Sequence, residues 1–449
     1  MLYAGGNWSN GRNAGLWYLN GNNDASNANA NIGARLSFCL KNISLEGLRC
    51  CVLRPLAKNG RKEHGLVGLF SKHREAKRKE SLMKRIGYLF DKICDQENIR
   101  KAIRNASKGK RDRHYVRRVL RREDEAIEYI ANLLKSGQYT PKPNRTKTIR
   151  DGACGKIRKI TIPAFFPDQI IQWAVIQVLE PEFHRSMYRY CCGSVPGRGC
   201  LDAKKYVERM LRKKDSKYVM QLDIRKFFPS ASSEKMKELL ARRIKDRDVL
   251  KLLGVIIDHG GEGLPIGYYS SQWLSNFYLQ KLDHFIKEEL RIPYYVRYVD
   301  DMILAGPNKR KLHKARLKIQ EYLESNQYGV SLKDNWQLWR KNTRPLDFLG
   351  YRFYEDHTRM RKRIFYHLMR TVRRIRSKGL NEPRVRRFMS LIGWGKHIPF
   401  KEYYLSNIRP TISQRTAKRY ISRLDKRRQR EGCQCAMHSI RSQCVAVAT

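Results

Sequence analysis

The sequence predicts an α+β fold in which short buried strands pack with amphipathic helices, and three observations carry that expectation. Apolar residues recur at helical spacing from about Met83, beginning with Ile86, Leu89, Phe90 and Ile93. Short apolar runs of strand length lead into acidic residues, at Val219–Leu222 before Asp223 and on both sides of Asp300-Asp301. The last ~90 residues return to a helical pattern rich in arginine.

Residues 1–36 stand apart from everything after them. Nine Asn lie between Asn7 and Asn31, with Trp8, Trp17 and Tyr18 and almost no charge, the composition of a low-complexity leader. Residues 37–82 are basic and weakly patterned, as a poorly ordered linker would be. The first helices follow, then the basic stretch Lys108–Arg122 and the amphipathic segment Ala126–Leu134. Turn residues and short apolar runs over Lys142–Thr161 predict small strands, and Asp168–Leu179 predicts a helix. Ser232 or Ser233 can cap a helix that carries Met236, Leu239 and Leu240 on one face. Leu274, Phe277, Tyr278, Leu282, Phe285 and Ile286 form an apolar stripe along a helix over Ser271–Leu290. Tyr294–Tyr298 and Met302–Ala305 read as two strands joined at Asp300-Asp301.

Composition narrows the function. The 449 residues can form two or three subdomains around a shared core, since 41% are hydrophobic and 10% aromatic. Against 42 Asp and Glu stand 93 Lys and Arg, a formal net charge of +51 spread along the whole chain. That balance points to a folded body holding a polyanion rather than to a basic tail. Eleven cysteines include the adjacent pairs Cys50-Cys51 and Cys191-Cys192 and the close pair Cys433 and Cys435, none in a zinc spacing. No apolar run reaches the ~18 residues that cross a bilayer, and the first residues do not form a signal peptide, so a reducing cytoplasm is expected.

The acidic residues suggest a chemistry. Nucleotidyl transfer uses two divalent ions, one at the attacking 3′-hydroxyl and one at the triphosphate. Magnesium takes oxygen ligands and keeps several waters, so two or three carboxylates suffice. Asp223 ends a short apolar strand, and roughly 75 residues later Asp300 and Asp301 tip a hairpin. Adjacent Asp in a turn are also ordinary hairpin chemistry; order and basic context favour the catalytic reading.

The blocks resemble, in order, those of reverse transcriptases of the bacterial group II intron and retroelement type, over roughly residues 83–400. Arg158–Pro163 with Asp168–Gln172, then Gly193–Gly199, then Asp223–Phe228, Gly263–Gln272, Tyr298–Asp301 and Phe348–Tyr351 carry the likeness. The resemblance implies a right-hand polymerase: fingers and an antiparallel palm sheet with packed helices over 83–355, a helical basic thumb over 356–432 and a flexible tail over 433–449. It implies two Mg²⁺ held by Asp223, Asp300, Asp301 and the Ile224 carbonyl. Arg158 would contact the incoming triphosphate, with Arg150 and Lys156 as looser candidates; each is equally readable as a solvated charge. Phe228 falls where an aromatic ring excludes a ribose 2′-hydroxyl, or is a packed core residue. Lys333 lies near the position of a lysine that protonates pyrophosphate, or is a bystander on the surface. Tyr298, Gln272, Phe348, Leu349 and Gly350 would grip primer and template.

One departure narrows the family. Most relatives carry Gln where this chain has Ile266 before Gly267, beside the nascent base pair, and Ser-Pro where it has Ser271-Gln272. This pattern is similar to the enzymes of diversity-generating retroelements, which copy a template-repeat RNA with errors at adenines. The Asn-rich leader resembles the variable end of a lectin-like target, or its template copy read in frame, since Asn codons begin with two adenines. The implied partners are template RNA, the RNA–DNA hybrid, dNTPs and a small basic accessory protein, with no membrane, in a bacterial or phage-encoded setting. An ordinary group II intron-type enzyme and a non-catalytic RNA-binding protein of polymerase fold stay open. A retron enzyme is disfavoured because the C-terminal Val-Thr-Gly signature is absent.

Overall fold

The computed structural model describes residues 85–150 and 157–427. The leader 1–36, the linker 37–82, Lys156 and the tail 433–449 lie outside them.

Helices α1 (Phe90–Cys94), α2 (Gln96–Ser107), α3 (His114–Arg121) and α4 (Glu123–Lys135) come first. Next is a hairpin of β1 (Arg145–Arg150) and β2 (Ile157–Ile162), registered with Arg145 opposite Ile162. Helices α5 (Ile170–Ser186) and α6 (Cys200–Arg212) precede β3 (Tyr218–Leu222). The short α7 (Phe227–Ser230) leads to α8 (Ser233–Arg243), α9 (Arg247–His259), α10 (Tyr269–Tyr278) and α11 (Gln280–His284). A hairpin of β4 (Tyr294–Tyr298) and β5 (Asp301–Gly306) is followed by α12 (Lys309–Ser325) and β6 (Gln337–Arg340). Three short strands, β7 (Leu346–Phe348), β8 (Tyr351–Phe353) and β9 (Thr358–Met360), form a separate antiparallel sheet. Helices α13 (Lys362–Lys378), α14 (Glu382–Ile392), α15 (Lys401–Asn407) and α16, residues 414–427, complete the chain.

Two expectations need correction. The helix expected over Ser271–Leu290 bends at Leu279, whose φ of −92° and ψ of 2° leave the helical range. Beyond α11 it widens into a π turn over Phe285–Glu289. Apolar spacing runs unbroken through this bend and does not register it. The helix expected over Asp168–Leu179 starts at Ile170 and runs on through Pro181 to Ser186. Of the two candidate caps it is Ser232 that serves, accepting the Lys235 N–H at 3.1 Å.

The central sheet has the strand order β4-β5-β3-β6. Residues Met302–Ala305 are each 0% exposed, so β5 is covered on both faces. Alternation sorts its side chains. Met302 and Leu304 join Met220, Leu222 and Tyr295 in the large core shared with α2, α5 and α8–α10. Ile303 and Ala305 join Val219 and Val296 in a second cluster with Val207 and Met210 of α6 and with Phe348, Tyr351 and Phe353. Ile364, Leu368, Val372 and Ile375, one stripe of α13, pack on Val385, Phe388 and Ile392 of α14 in a third cluster. The result is the α+β right-hand arrangement: a helical and hairpin front, a palm sheet backed by helices, and a helical end.

Candidate active site

Register brings two acids together. Leu222 pairs with Met302 across β3 and β5, so the next step of the antiparallel ladder sets Asp223 opposite Asp301. Asp301 also pairs with Tyr298 across the β4–β5 hairpin, leaving Val299 and Asp300 as its two-residue turn. Val299 has a φ of 58°, an uncommon value for a β-branched residue and one that costs ~1–3 kcal/mol unless its surroundings impose it. All three carboxylates therefore sit at one end of neighbouring strands, half-buried.

Their electrostatics follow from that crowding. Burial first, then the nearby Asp223, raises Asp300 above the usual carboxylate range. Burial, Asp223 and Asp300 together push Asp301 up to about 7, with Lys333 and Arg361 pulling it back. Lys333 is at the site: its ammonium contacts Asp223 Oδ2 and its backbone N–H donates to the Asp223 carbonyl at 2.8 Å. The Arg225 N–H donates to the Ser331 carbonyl at 2.9 Å, so the ladder bonds flank Ile224 and use neither of its own polar groups. Asp223 Oδ1 is buried without a hydrogen-bond partner. Among the described residues no three His, Cys, Asp or Glu side chains close on a single point as a ready-made metal cage. The set nonetheless fits divalent cations. It holds an unsatisfied buried carboxylate oxygen beside two acids that repel one another, and cations relieve both costs.

The front hairpin approaches this end of the sheet through Arg158. Arg158, exposed on β2, is near enough to lower the Asp300 carboxyl, though less than Lys333 does. The Thr161 N–H donates to the Ile266 carbonyl at 2.8 Å, tying β2 to the block before α10. Gly267 has a φ of +123°, and a Cβ there would collide with the Thr161 carbonyl, so only glycine allows this approach. Ile266 is half-buried. The Leu264 N–H donates to the Phe228 carbonyl at 2.6 Å, which places Phe228 against the same block. Phe227 is the buried core aromatic at 2% exposure, while Phe228 is only partly covered. Arg150 ends β1 opposite Ile157.

The residues expected to grip primer and template are placed by turns and packing. Phe348 pairs with Tyr351, and Leu349 and Gly350 between them have φ values of 51° and 78°, the signature of a type I′ hairpin turn. A Cβ on Gly350 would lie inside the Trp394 ring, so this hairpin seats directly on the segment after α14. Tyr298 packs on the second cluster. Gln272 acts through its backbone, its carbonyl accepting from Ser275 Oγ at 2.8 Å and Asn276 Nδ2 at 3.3 Å. Farther on, Arg415, Lys418, Arg419, Arg423 and Lys426 form an exposed basic stripe along α16, suited to phosphates.

Sequence reasoning missed Arg297, Asp283 and Trp394. A lone Arg inside the otherwise uncharged strand Tyr294–Tyr298 was the available signal for the first. No helix of the described residues is long and apolar enough to cross a membrane.

Residues 140–353 match the family described as reverse transcriptase (RNA-dependent DNA polymerase). Protein YkfC of Escherichia coli K12 is 28% identical over 229 residues, 48% of this chain and 54% of that protein. The group II intron-encoded protein LtrA of Lactococcus lactis subsp. cremoris is 29% identical over 173 residues, 36% of this chain and 28% of LtrA. The retron Ec73 reverse transcriptase of Escherichia coli is 29% identical over 103 residues, 20% of this chain and 33% of that enzyme. The chain thus spans about half or less of these curated relatives. Among solved structures, apo telomerase from Candida tropicalis aligns with a TM-score of 0.41 at 13% identity, covering 61% of this chain and 60% of that one. Telomerase from Candida albicans, in complex with a TWJ fragment of telomeric RNA, aligns with a TM-score of 0.40 at 13% identity over 61% and 56%.

Proposed function

We propose, on the premise that residues 140–353 of this chain form a reverse transcriptase domain, that the protein is an RNA-directed DNA polymerase. The observation that carries the reading is the register of Asp223 with Asp301 beside the Asp300 turn. Asp223, Asp300 and Asp301, with the Ile224 carbonyl, would hold two Mg²⁺, which when bound supply charge stabilisation at the 3′-oxygen and the triphosphate. Arg158, with Arg150 and Lys156 as looser candidates, neutralises the incoming triphosphate. Lys333, fastened to Asp223, delivers a proton to the leaving pyrophosphate. Phe228 excludes a ribose 2′-hydroxyl by shape. Tyr298, Gln272 and the Phe348-Leu349-Gly350 turn hold primer and template, and the basic helices grip phosphates in a salt-dependent way.

The finer reading is that this polymerase copies a template-repeat RNA into cDNA mutated at adenines, for diversification of a target gene. Ile266 supports it, since it puts an aliphatic side chain where most relatives carry Gln, beside Gly267 and the β2 contact. Template RNA, dNTPs and a small basic accessory protein are the partners in that reading, in a bacterial cytoplasm. A second reading, an ordinary group II intron-type reverse transcriptase of normal fidelity, takes its support from the likeness to the group II intron-encoded protein LtrA. Primer extension on an RNA template with Mg²⁺ tests the polymerase, and sequencing the cDNA separates the two readings. Asp300→Ala should lower extension by at least on the order of 10³-fold with RNA binding retained. Full-rate synthesis by that variant would sink the assignment.

A further inference from the structure

Arg297 and Asp283 form an ion pair in which both side chains are 0% exposed. The guanidinium donates from Nε to Asp283 Oδ1 at 2.7 Å and from Nη2 to Oδ2 at 2.6 Å, a bidentate fork. The Tyr295 hydroxyl donates to the same Oδ1 at 2.7 Å. That leaves Nη1, which donates to the Val299 carbonyl at 2.8 Å and to Asn276 Oδ1 at 3.3 Å. Asn276 in turn donates from Nδ2 to the Gly193 carbonyl at 2.5 Å. Gly193 packs so closely on Val299 that a Cβ there would lie 2.7 Å from the Val299 nitrogen. The left-handed residue of the acidic turn is therefore held from two sides, by a guanidinium and by a glycine backbone.

A buried ion pair is a poor way to stabilise a fold, because desolvation offsets most of its attraction. What the fork offers is direction: with two nitrogens fixed on Asp283, the third can point only one way. The Val299 carbonyl belongs to the peptide that carries the Asp300 nitrogen, so rotating that peptide swings Asp300 and its neighbour Asp301.

We propose that Arg297 is a positioning residue for the metal-binding turn, oriented by Asp283, and that its grip on the Val299 carbonyl sets the direction of the Asp300 and Asp301 carboxylates. This rests on the polymerase reading for its effect on synthesis, but not for its effect on cation binding.

The test uses the full chain and two variants. Arg297→Met combined with Asp283→Leu replaces the pair by apolar side chains of similar size and leaves no orphaned charge. Arg297→Lys keeps the charge but cannot reach Asp283 and Val299 together. In each, kcat for primer extension should fall about 100-fold with KM for dNTP and affinity for the RNA–DNA hybrid within about threefold of wild type. Mn²⁺ affinity, read from the EPR signal of the free ion, should fall about tenfold in both. If the double variant does not fold, Arg297→Lys carries the test alone. A folded variant with wild-type kcat and Mn²⁺ affinity overturns the proposal. A wild-type chain that extends no primer removes the polymerase reading instead, and the Mn²⁺ titration still decides the role of Arg297.

Discussion

Lys333 is bound twice to Asp223, its ammonium on the carboxylate and its backbone N–H on the carbonyl at 2.8 Å. The backbone bond makes the segment Ser331–Lys333 an extension of the sheet edge and fixes where the side chain starts. In the proposed polymerase a lysine so held would donate a proton to the leaving pyrophosphate. Lys333→Ala should lower kcat for primer extension by about 10²-fold while KM for dNTP changes by less than about threefold. An unchanged kcat would reduce Lys333 to a structural counter-charge.

Asp301 gives a pH dependence with a definite sign. Its folded carboxyl titrates at about 7 against an ordinary 3.8, because burial and two neighbouring acids disfavour the ionised form. The folded chain therefore binds this proton more tightly than the unfolded chain. The associated stability is present at low pH and is lost as pH rises through the window from 3.8 to about 7. In EDTA, Asp301→Asn should gain in Tm relative to wild type as pH rises from about 5 to 8, and Mg²⁺ should narrow that gap by stabilising only wild type. Parallel Tm curves for the two proteins would refute the crowding of these carboxylates.

The seat of the β7–β8 turn predicts a steric effect. Gly350 combines a φ of +78° with a position where a Cβ would enter the Trp394 ring. Gly350→Ala should cost about 2–4 kcal/mol in urea unfolding, from backbone strain and overpacking together. A loss below about 1 kcal/mol would mean that the segment after α14 shifts freely, and that the two parts are not tightly coupled.

Fidelity is the test of Ile266. Its carbonyl is fastened to the Thr161 N–H at 2.8 Å, so a substitution there changes the side chain, proposed to lie beside the nascent pair, with little effect on the backbone. Ile266→Gln should lower misincorporation opposite template adenine, read by sequencing cDNA, while extension on other bases changes by less than about threefold. Equal adenine error rates in the two proteins would remove Ile266 as the determinant.

Much of this was legible from local pattern. Tyr294–Tyr298 is a strand with the expected bounds, Asp300 lies in the turn after it and Asp301 opens the next strand, because alternation and turn chemistry act over a few residues. The apolar run before Asp223 is likewise a buried strand ending in that acid. These short-range constraints, with the +51 charge, were enough to place the chain among nucleic-acid enzymes and to mark three acids. What they could not reach are contacts between distant segments. Lys333 lies 110 residues from Asp223, and the resemblance that marked it as a candidate could not show that its ammonium rests on that acid. Arg297 shows in sequence only as a charge inside a strand, and its pairing with Asp283 depends on how α11 packs beneath the sheet. Gly350 reads as a turn glycine, and only the placement of Trp394 makes it indispensable. The acids, their order and their strands were determined by the sequence itself. Tertiary packing decided how those acids are aimed, since direction at a buried site depends on hydrogen bonds from parts of the chain far away in sequence.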